Sequence, residues 1–321
     1  MIKVGLIGAE TPDAGEILRI LINHPEVDLV SLYAPSLSGH KIASVHSGFI
    51  GEQALTFTDK IDPAVLDAIF IFDDSDISKK IIAHIGNWDT LRLINLSPSR
   101  GEDWGVADFV YGLSEINRKV LVRGARMAVI PNAIAAVSLI ALYPLASHLL
   151  LSSDILIDAN LPADDVRGVD KPLIEEEIDR QLRNVQNSFN GNVRVACHPF
   201  DSARALKIKL EIETPLSLDE ISRIYDSVYD DHNFTYIIMD SVKEAEVEGT
   251  QKCVISLNKT DKGTLSIEAV ADCRLRGGAG DAVHVLNLFF ALHEKIGLSL
   301  KPSIYEKSLG EPRQSQYSWF A

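Results

Sequence analysis

Residues able to do covalent chemistry are sparse in this chain. Its thiols are Cys197, Cys253 and Cys273, and none stands in a C-x-x-C pair. The stretch RMAVIPNAIAAVSLIALYPLA, Arg126 to Ala146, reads as a buried strand, a Pro-Asn turn and an apolar helix. A tight strand-to-helix turn can present a nucleophile at a helix N-terminus, where the helix end lowers its pKa. Here the turn offers only Asn132, Ala133 and Ile134, and none of them can attack. Cys197 and His198 suggest a thiol beside its base. Neighbours on a strand point to opposite faces, however, so the two pair poorly. Cys273 reads as a plain buried cysteine. His284 and His293 do not share a helix face, and no metal-ligand set is expected.

A second candidate is the loop GAETPDAG, Gly8 to Gly15, between a first apolar run and a first helical pattern. That is where a dinucleotide fold places its glycines, so that backbone N–H groups can approach a pyrophosphate at the helix N-terminus. On a G-x-x-G-x-x-G spacing the chain keeps Gly8, has Thr11 in the middle and Ala14 at the end. Thr11 puts a β-branched side chain where phosphate should lie, and Glu10 and Asp13 add negative charge. Further on, YAPSLSGHK has no acid for a ribose 2′-hydroxyl. Ser36, Ser38 and Lys41 suit a 2′-phosphate instead, which favours NADP over NAD. Asp73, Asp74 and Asp76 oppose any phosphate, each at a cost on the order of 1–4 kcal/mol at surface-like dielectric. As structure, the same three acids read as a solvated loop and helix cap.

These groups must be positioned by ordinary elements. Ile2 to Ile7 suits a strand buried on both faces. Residues 13–23 have helical spacing, ended at His24-Pro25. Val27 to Tyr33, Leu66 to Phe72 and Leu91 to Leu96 read as further strands, with a helix from Ile77 to Ile85. This alternation predicts an α/β, Rossmann-type parallel sheet. After Leu150 the texture changes. Strand-like runs at 154–158, 193–197, 206–213, 235–239, 253–258 and 264–272 surround helices at 171–187 and 217–229. Alternation such as LKIKLEIE predicts an α+β domain with a mostly antiparallel sheet covered on one face. A last helix is expected over 279–296, and the tail GEPRQSQYSWF reads as a surface extension.

The 321 residues suit two domains. With 46% apolar and 24% charged residues the composition is globular, and the net charge of -14 argues against nucleic-acid binding. The few cysteines suit a reducing compartment. No cleavable signal pattern and no apolar run long enough to span a bilayer are seen, so a cytoplasmic protein without a membrane partner is expected.

Several stretches together resemble N-acetyl-gamma-glutamyl-phosphate reductase, a family related to aspartate-semialdehyde dehydrogenase. They are GAETPDAGEILRILINHPEV (8–27), INLSPSRGEDWGVADFVYGLSEINR (94–118), VIPNAIAAVSLIALYPLA (129–146), VACHPFDSARA (195–205) and RLRGGAGDAVHVLNLFFALHEKIGL (274–298). YGLSEINR and GGAGDAVHVLNL are the more specific markers. The resemblance implies NADPH-dependent reduction of an acyl phosphate to a semialdehyde, through a cysteine thioester and a histidine acid/base, in arginine biosynthesis. It also implies a dimer or tetramer. The expected domains are 1–132 with 279–321, of dinucleotide-binding type, and 133–278, carrying the subunit interface.

The chain departs from the family where chemistry is done. The family writes the turn as Asn-Pro-Gly-Cys; here it is Ile130, Pro131, Asn132 and Ala133, with Ala133 in the nucleophile's place. The family's His-x-His-x-Pro-Glu stretch falls where this chain reads KPLIEEEIDRQL, without histidine. The loop before it, DANLPADDVRGVD, is shortened. After LSPSR, Arg100 is displaced by one place and Gly101 stands where an Arg should. In the final motif Asn is Cys273, Lys is Arg276 and Gln is Asp281. His198 and Arg204 match a retained His and Arg, read either as structural groups or as a residual anion site. The expectation is a non-catalytic paralogue, a regulatory or binding partner of an active one or of a metabolite. Cofactor binding through Gly8, Thr11, Ala14, Ser36 and Ser38 is then doubtful. The alternative is an active NADP-dependent oxidoreductase with a rebuilt, non-cysteine site.

Overall fold

The computed structural model describes residues 1–51, 55–84, 90–99, 109–260 and 263–302. The N-terminal half alternates strand and helix. β1 (Ile2–Ile7), α1 (Pro12–Leu21), β2 (Val27–Tyr33), β3 (Ala68–Ile71), α2 (Asp76–Ala83), β4 (Arg92–Asn95), β5 (Val110–Tyr111), α3 (Ser114–Val122) and β6 (Met127–Val129) follow one another. The six strands form one parallel sheet in the order β2-β1-β3-β4-β6-β5. The apolar runs need this arrangement, because both sheet faces are covered: every residue of β3 is fully buried. Since β1 is flanked by β2 on one side and β3 on the other, the carboxyl ends of β1 and β3 bound the crevice where ligands of such sheets bind.

The chain then enters the second layer system. α4 (Ala133–Ser147), β7 (Ile155–Pro162), α5 (Ala163–Val166), α6 (Lys171–Val185), β8 (Val193–Phe200), β9 (Ala205–Glu213), α7 (Leu218–Tyr229), β10 (Thr235–Ile238), β11 (Cys253–Lys259) and β12 (Thr264–Asp272) lead to α8 (Ala279–Phe289). The second sheet runs β10-β11-β12-β9-β7-β8. Its inner pairings are antiparallel, while both outer pairs, β10–β11 and β7–β8, are parallel. Leu206, Ile208, Leu210 and Ile212 of β9 enter the core beneath α4, α6 and α7, and Lys209, Glu211 and Glu213 face outward. α8 returns to pack on α1 and α3.

α4 is buried almost all round, which sets a problem at Pro144. Proline lacks the N–H that Ile140 O would accept in a helix. The Tyr229 hydroxyl donates to Ile140 O instead, and the Tyr225 hydroxyl donates to Ala141 O at 2.6 Å. Two tyrosines of α7 thus anchor the central helix by its backbone. Among the described residues no helix is long and apolar enough to cross a membrane.

Several boundaries differ from the sequence reading. α8 stops at Phe289 rather than 296, because Ala291 turns left-handed at φ 52° and the chain folds back. There Asn287 Nδ2 donates to Glu294 O and Ile296 O, at 3.1 and 2.9 Å. α3 and the short α5 were not anticipated. Helix α2 ends at Ala83, and the tail GEPRQSQYSWF lies outside the described residues.

Candidate functional site

At the end of β6 the chain turns through Asn132, which is extended (φ -66°, ψ 149°) and caps α4 by accepting from Ile134 N at 2.8 Å. Ala133 is the first residue of that helix. The turn at Gly277 and Gly278 lies directly upon it, and Gly277 adopts φ +66°. From α6, the buried Glu177 reaches the same helix end. Its Oε1 accepts from the Tyr111 hydroxyl at 2.8 Å and from Asn132 N at 3.4 Å. The arrangement therefore presents a methyl group and a carboxyl at a helix end otherwise suited to stabilising a thiolate.

The dinucleotide-type loop is closed by its own groups. Backbone N–H donors must all go somewhere. Gly8 N and Ala9 N donate to Tyr33 O, Thr11 N to Gly8 O and Gly15 N to Thr11 O. Thr11 is the N-cap of α1: its Oγ1 donates to Gly8 O at 3.0 Å and accepts from Ala14 N at 3.3 Å. Pro12, at the first helical position, has no N–H at all. Ala14 is fully buried. Across the crevice, Asp73 at the end of β3 faces Gly8, where an added Cβ would meet its Oδ2 at 3.2 Å. Asp73 Oδ1 meanwhile accepts from Ser75 N at 3.0 Å and Ser78 Oγ at 2.7 Å, opening α2. Asp74 accepts from Ser99 N at 3.2 Å and from the Ser99 hydroxyl. The acids are thus cap and loop anchors, and they also leave a carboxylate oxygen beside the glycine.

Ser36 and Ser38 lie exposed on and just after a single helical turn, Pro35–Leu37, beyond β2. The following segment folds back over the loop. His46 Nε2 meets Ala9 O at 2.8 Å, and its ring stands over Gly15, where a Cβ would come within 2.7 Å of Nδ1. Gly15 is there to admit the imidazole.

His198 and Arg204 are not brought together on common partners. His198 lies on the open face of the second sheet, its Nε2 3.2 Å from Asp158 Oδ1. Cys197 packs toward the core instead, as strand alternation requires. Arg204 is held by carboxylates: Nη1 and Nη2 meet Glu16 at 2.6 and 3.1 Å, and Nε meets Asp272 at 2.7 Å. An anion site there would have to displace them. Burial pushes the Cys273 and Cys253 thiols up to about 12 and raises Cys197, so none is a reactive thiolate near neutral pH.

The substitutions in the final motif form a unit. Arg276 is fully buried and meets Asp281 at 3.0 Å and Glu115, from the YGLSEINR stretch, at 2.9 Å. Burial works against ionised Glu115, but the Arg276 charge, with His232 and His284, holds its pKa at about 2. Asp281 also accepts from Gln251 Nε2 at 2.6 Å and Gly277 N at 2.7 Å. A cation this neutralised is not offered to a ligand. The sequence reading missed the roles of Glu177 and Pro12; the missing N–H of Pro12 was visible in the letters, while the reach of Glu177 was not. Arg100 and Gly101 lie outside the described residues. Among those residues no group of three or more His, Cys, Asp or Glu could hold a metal ion.

Comparisons with known proteins agree on the class. Residues 3–123 match the family model "Semialdehyde dehydrogenase, NAD binding domain". Aspartate semialdehyde dehydrogenase II from Vibrio cholerae, complexed with ASA, superposes with a TM-score of 0.67 at 14% identity, covering 91% of this chain and 98% of that one. An aspartate semialdehyde dehydrogenase with NADP from Candida albicans gives 0.63 at 13%, over 92% and 99%. These define the semialdehyde-dehydrogenase fold. Proteins named N-acetyl-gamma-glutamyl-phosphate reductase from Phocaeicola vulgatus and Bacteroides fragilis are each 33% identical over 95% of this chain and 100% of theirs. The chain belongs to the N-acetyl-gamma-glutamyl-phosphate reductase family.

Proposed function

We propose that this chain is a non-catalytic member of its family, a regulatory or stabilising partner of an active paralogue. One observation carries the reading: Ala133 is the first residue of α4, the position matched to the family's nucleophile. Thioester chemistry needs a soft, deprotonated nucleophile at that helix end, and a methyl group supplies none. The closed loop supports the same reading, because NADPH would have to displace Asp73, and the Gly8, Ala9 and Thr11 N–H groups already donate internally. The chain forms a homo-oligomer, a dimer or tetramer, or pairs with the paralogue. The open face of its second sheet, with Leu156 and Tyr236 exposed, supports an association there.

The competing reading, an NADP-dependent oxidoreductase with a rebuilt site, draws on exposed Ser36 and Ser38 beyond β2. Titration of the purified protein with NADPH by calorimetry separates the two. No heat of binding at millimolar cofactor is expected. Saturable binding, with turnover of N-acetyl-glutamyl phosphate above a no-protein control, would replace the first reading by the second.

A further inference from the structure

Arg204 lies between β8 and β9, in the second domain, yet half of its side-chain hydrogen bonds go to the first. Nη1 and Nη2 grip the two oxygens of Glu16 on α1, a forked geometry that is stronger and more directional than a single contact. Nε and Nη2 meet the two oxygens of Asp272, at 2.7 and 3.3 Å. Asp272 is fully buried at the end of β12 and is fixed further by Gly249 N at 2.7 Å and Arg274 N at 2.9 Å. The guanidinium is itself three-quarters covered. Its Asp272 half is therefore a rigid socket, and its Glu16 half is the detachable one.

A second cation lies beside the same seam. Arg274 pairs with Asp165 of α5 at 2.7 Å, and its charge acts on Asp13 in the first turn of α1. Asp13 itself stays exposed, so Arg274 reaches that turn through its charge and not through a direct contact. α1 begins at the dinucleotide-type loop, so the Arg204–Glu16 contact bridges the mouth between that loop and the second domain.

We propose that Arg204 is an interdomain latch: by gripping Glu16 it holds the mouth between α1 and the second domain shut. The latch does not depend on whether the chain turns over a substrate. Glu16 is the residue to change, because Arg204→Gln would strand buried Asp272 and endanger the fold. Hydrogen exchange of the full chain reads the outcome. Glu16→Gln speeds exchange about tenfold in residues 9–21 and 202–206, as local opening of an ion-paired contact should, with the rest of the chain unchanged. Arg19→Ala, which removes only the intrahelical partner of Glu16 at 3.0 Å, leaves both segments at the wild-type rate. Unchanged exchange in Glu16→Gln, an equal effect from Arg19→Ala, or a rise spread over the whole chain would overturn the latch. A wild-type chain that bound NADPH would remove the preceding reading and leave this test standing.

Discussion

The backbone of Gly277 rests directly on that of Ala133: a Cβ built on Gly277 would come within 2.4 Å of Ala133 Cα and 2.5 Å of its nitrogen. The turn after β12 thus closes over the N-terminus of α4, at a left-handed φ of +66°. Backbone cannot yield as a flexible side chain does. Gly277→Ala is expected to cost about 3 kcal/mol or more, from clash and strain together. Gly124→Ala, also left-handed at φ +115° but with nothing within 4 Å, should cost only about 1–2 kcal/mol. Urea denaturation of both variants tests the contrast; equal losses would mean that the Gly277 contact is not tight.

Restoring the thiol should not restore the chemistry. In Ala133→Cys the new side chain stands one residue from the Asn132 N–H, which donates to the Glu177 carboxyl. The half-buried position beside Glu177 opposes a charged thiolate, while the helix end favours it by only about half a charge. The thiol is expected to titrate no lower than about 8.5, the value of a free cysteine. Alkylation rate against pH measures this directly. A midpoint below about 7, with NADPH-dependent turnover, would show the rest of the site to be intact.

Glu294 should carry part of the acid sensitivity, beside Glu115. Burial disfavours its charge, but the His284 hydrogen bond at 2.7 Å and the charges of His284 and Arg118 outweigh that and lower its pKa to about 2. A carboxylate depressed in the folded state stabilises above its unfolded pKa, about 4.3, and loses that contribution as pH falls toward the folded value. Stability should therefore fall between about pH 4.3 and 2. Glu294→Gln is expected to lose roughly 1–3 kcal/mol at neutral pH and to show a flatter acid limb. An unchanged acid limb in that variant would assign the sensitivity elsewhere.

The fold was legible where one rule governed a stretch. Continuous apolar runs marked β1 and β3, and the alternation in LKIKLEIE marked β9. α8 was overextended because the apolar spacing continues past Phe289, while the break depends on a left-handed Ala291 and on Asn287 binding carbonyls further along. At the site, residue types gave the absence at Ala133 and the awkward Thr11. They could not give partners distant in the chain. Arg276 read as one change among several, and only the packing shows it neutralised by Glu115 and Asp281. Arg204 read either as a structural group or as part of a residual anion site, and only the domain seam shows its two carboxylates.

Intact-mass measurement after mixing the purified chain with N-acetyl-glutamyl phosphate, without reductant, tests most directly whether any group can take up the acyl unit. The account predicts the unmodified polypeptide mass, since Ala133 cannot form an acyl bond and the three cysteines are held protonated by burial. A stoichiometric acyl adduct, mapped to any residue at the N-terminus of α4, would contradict it.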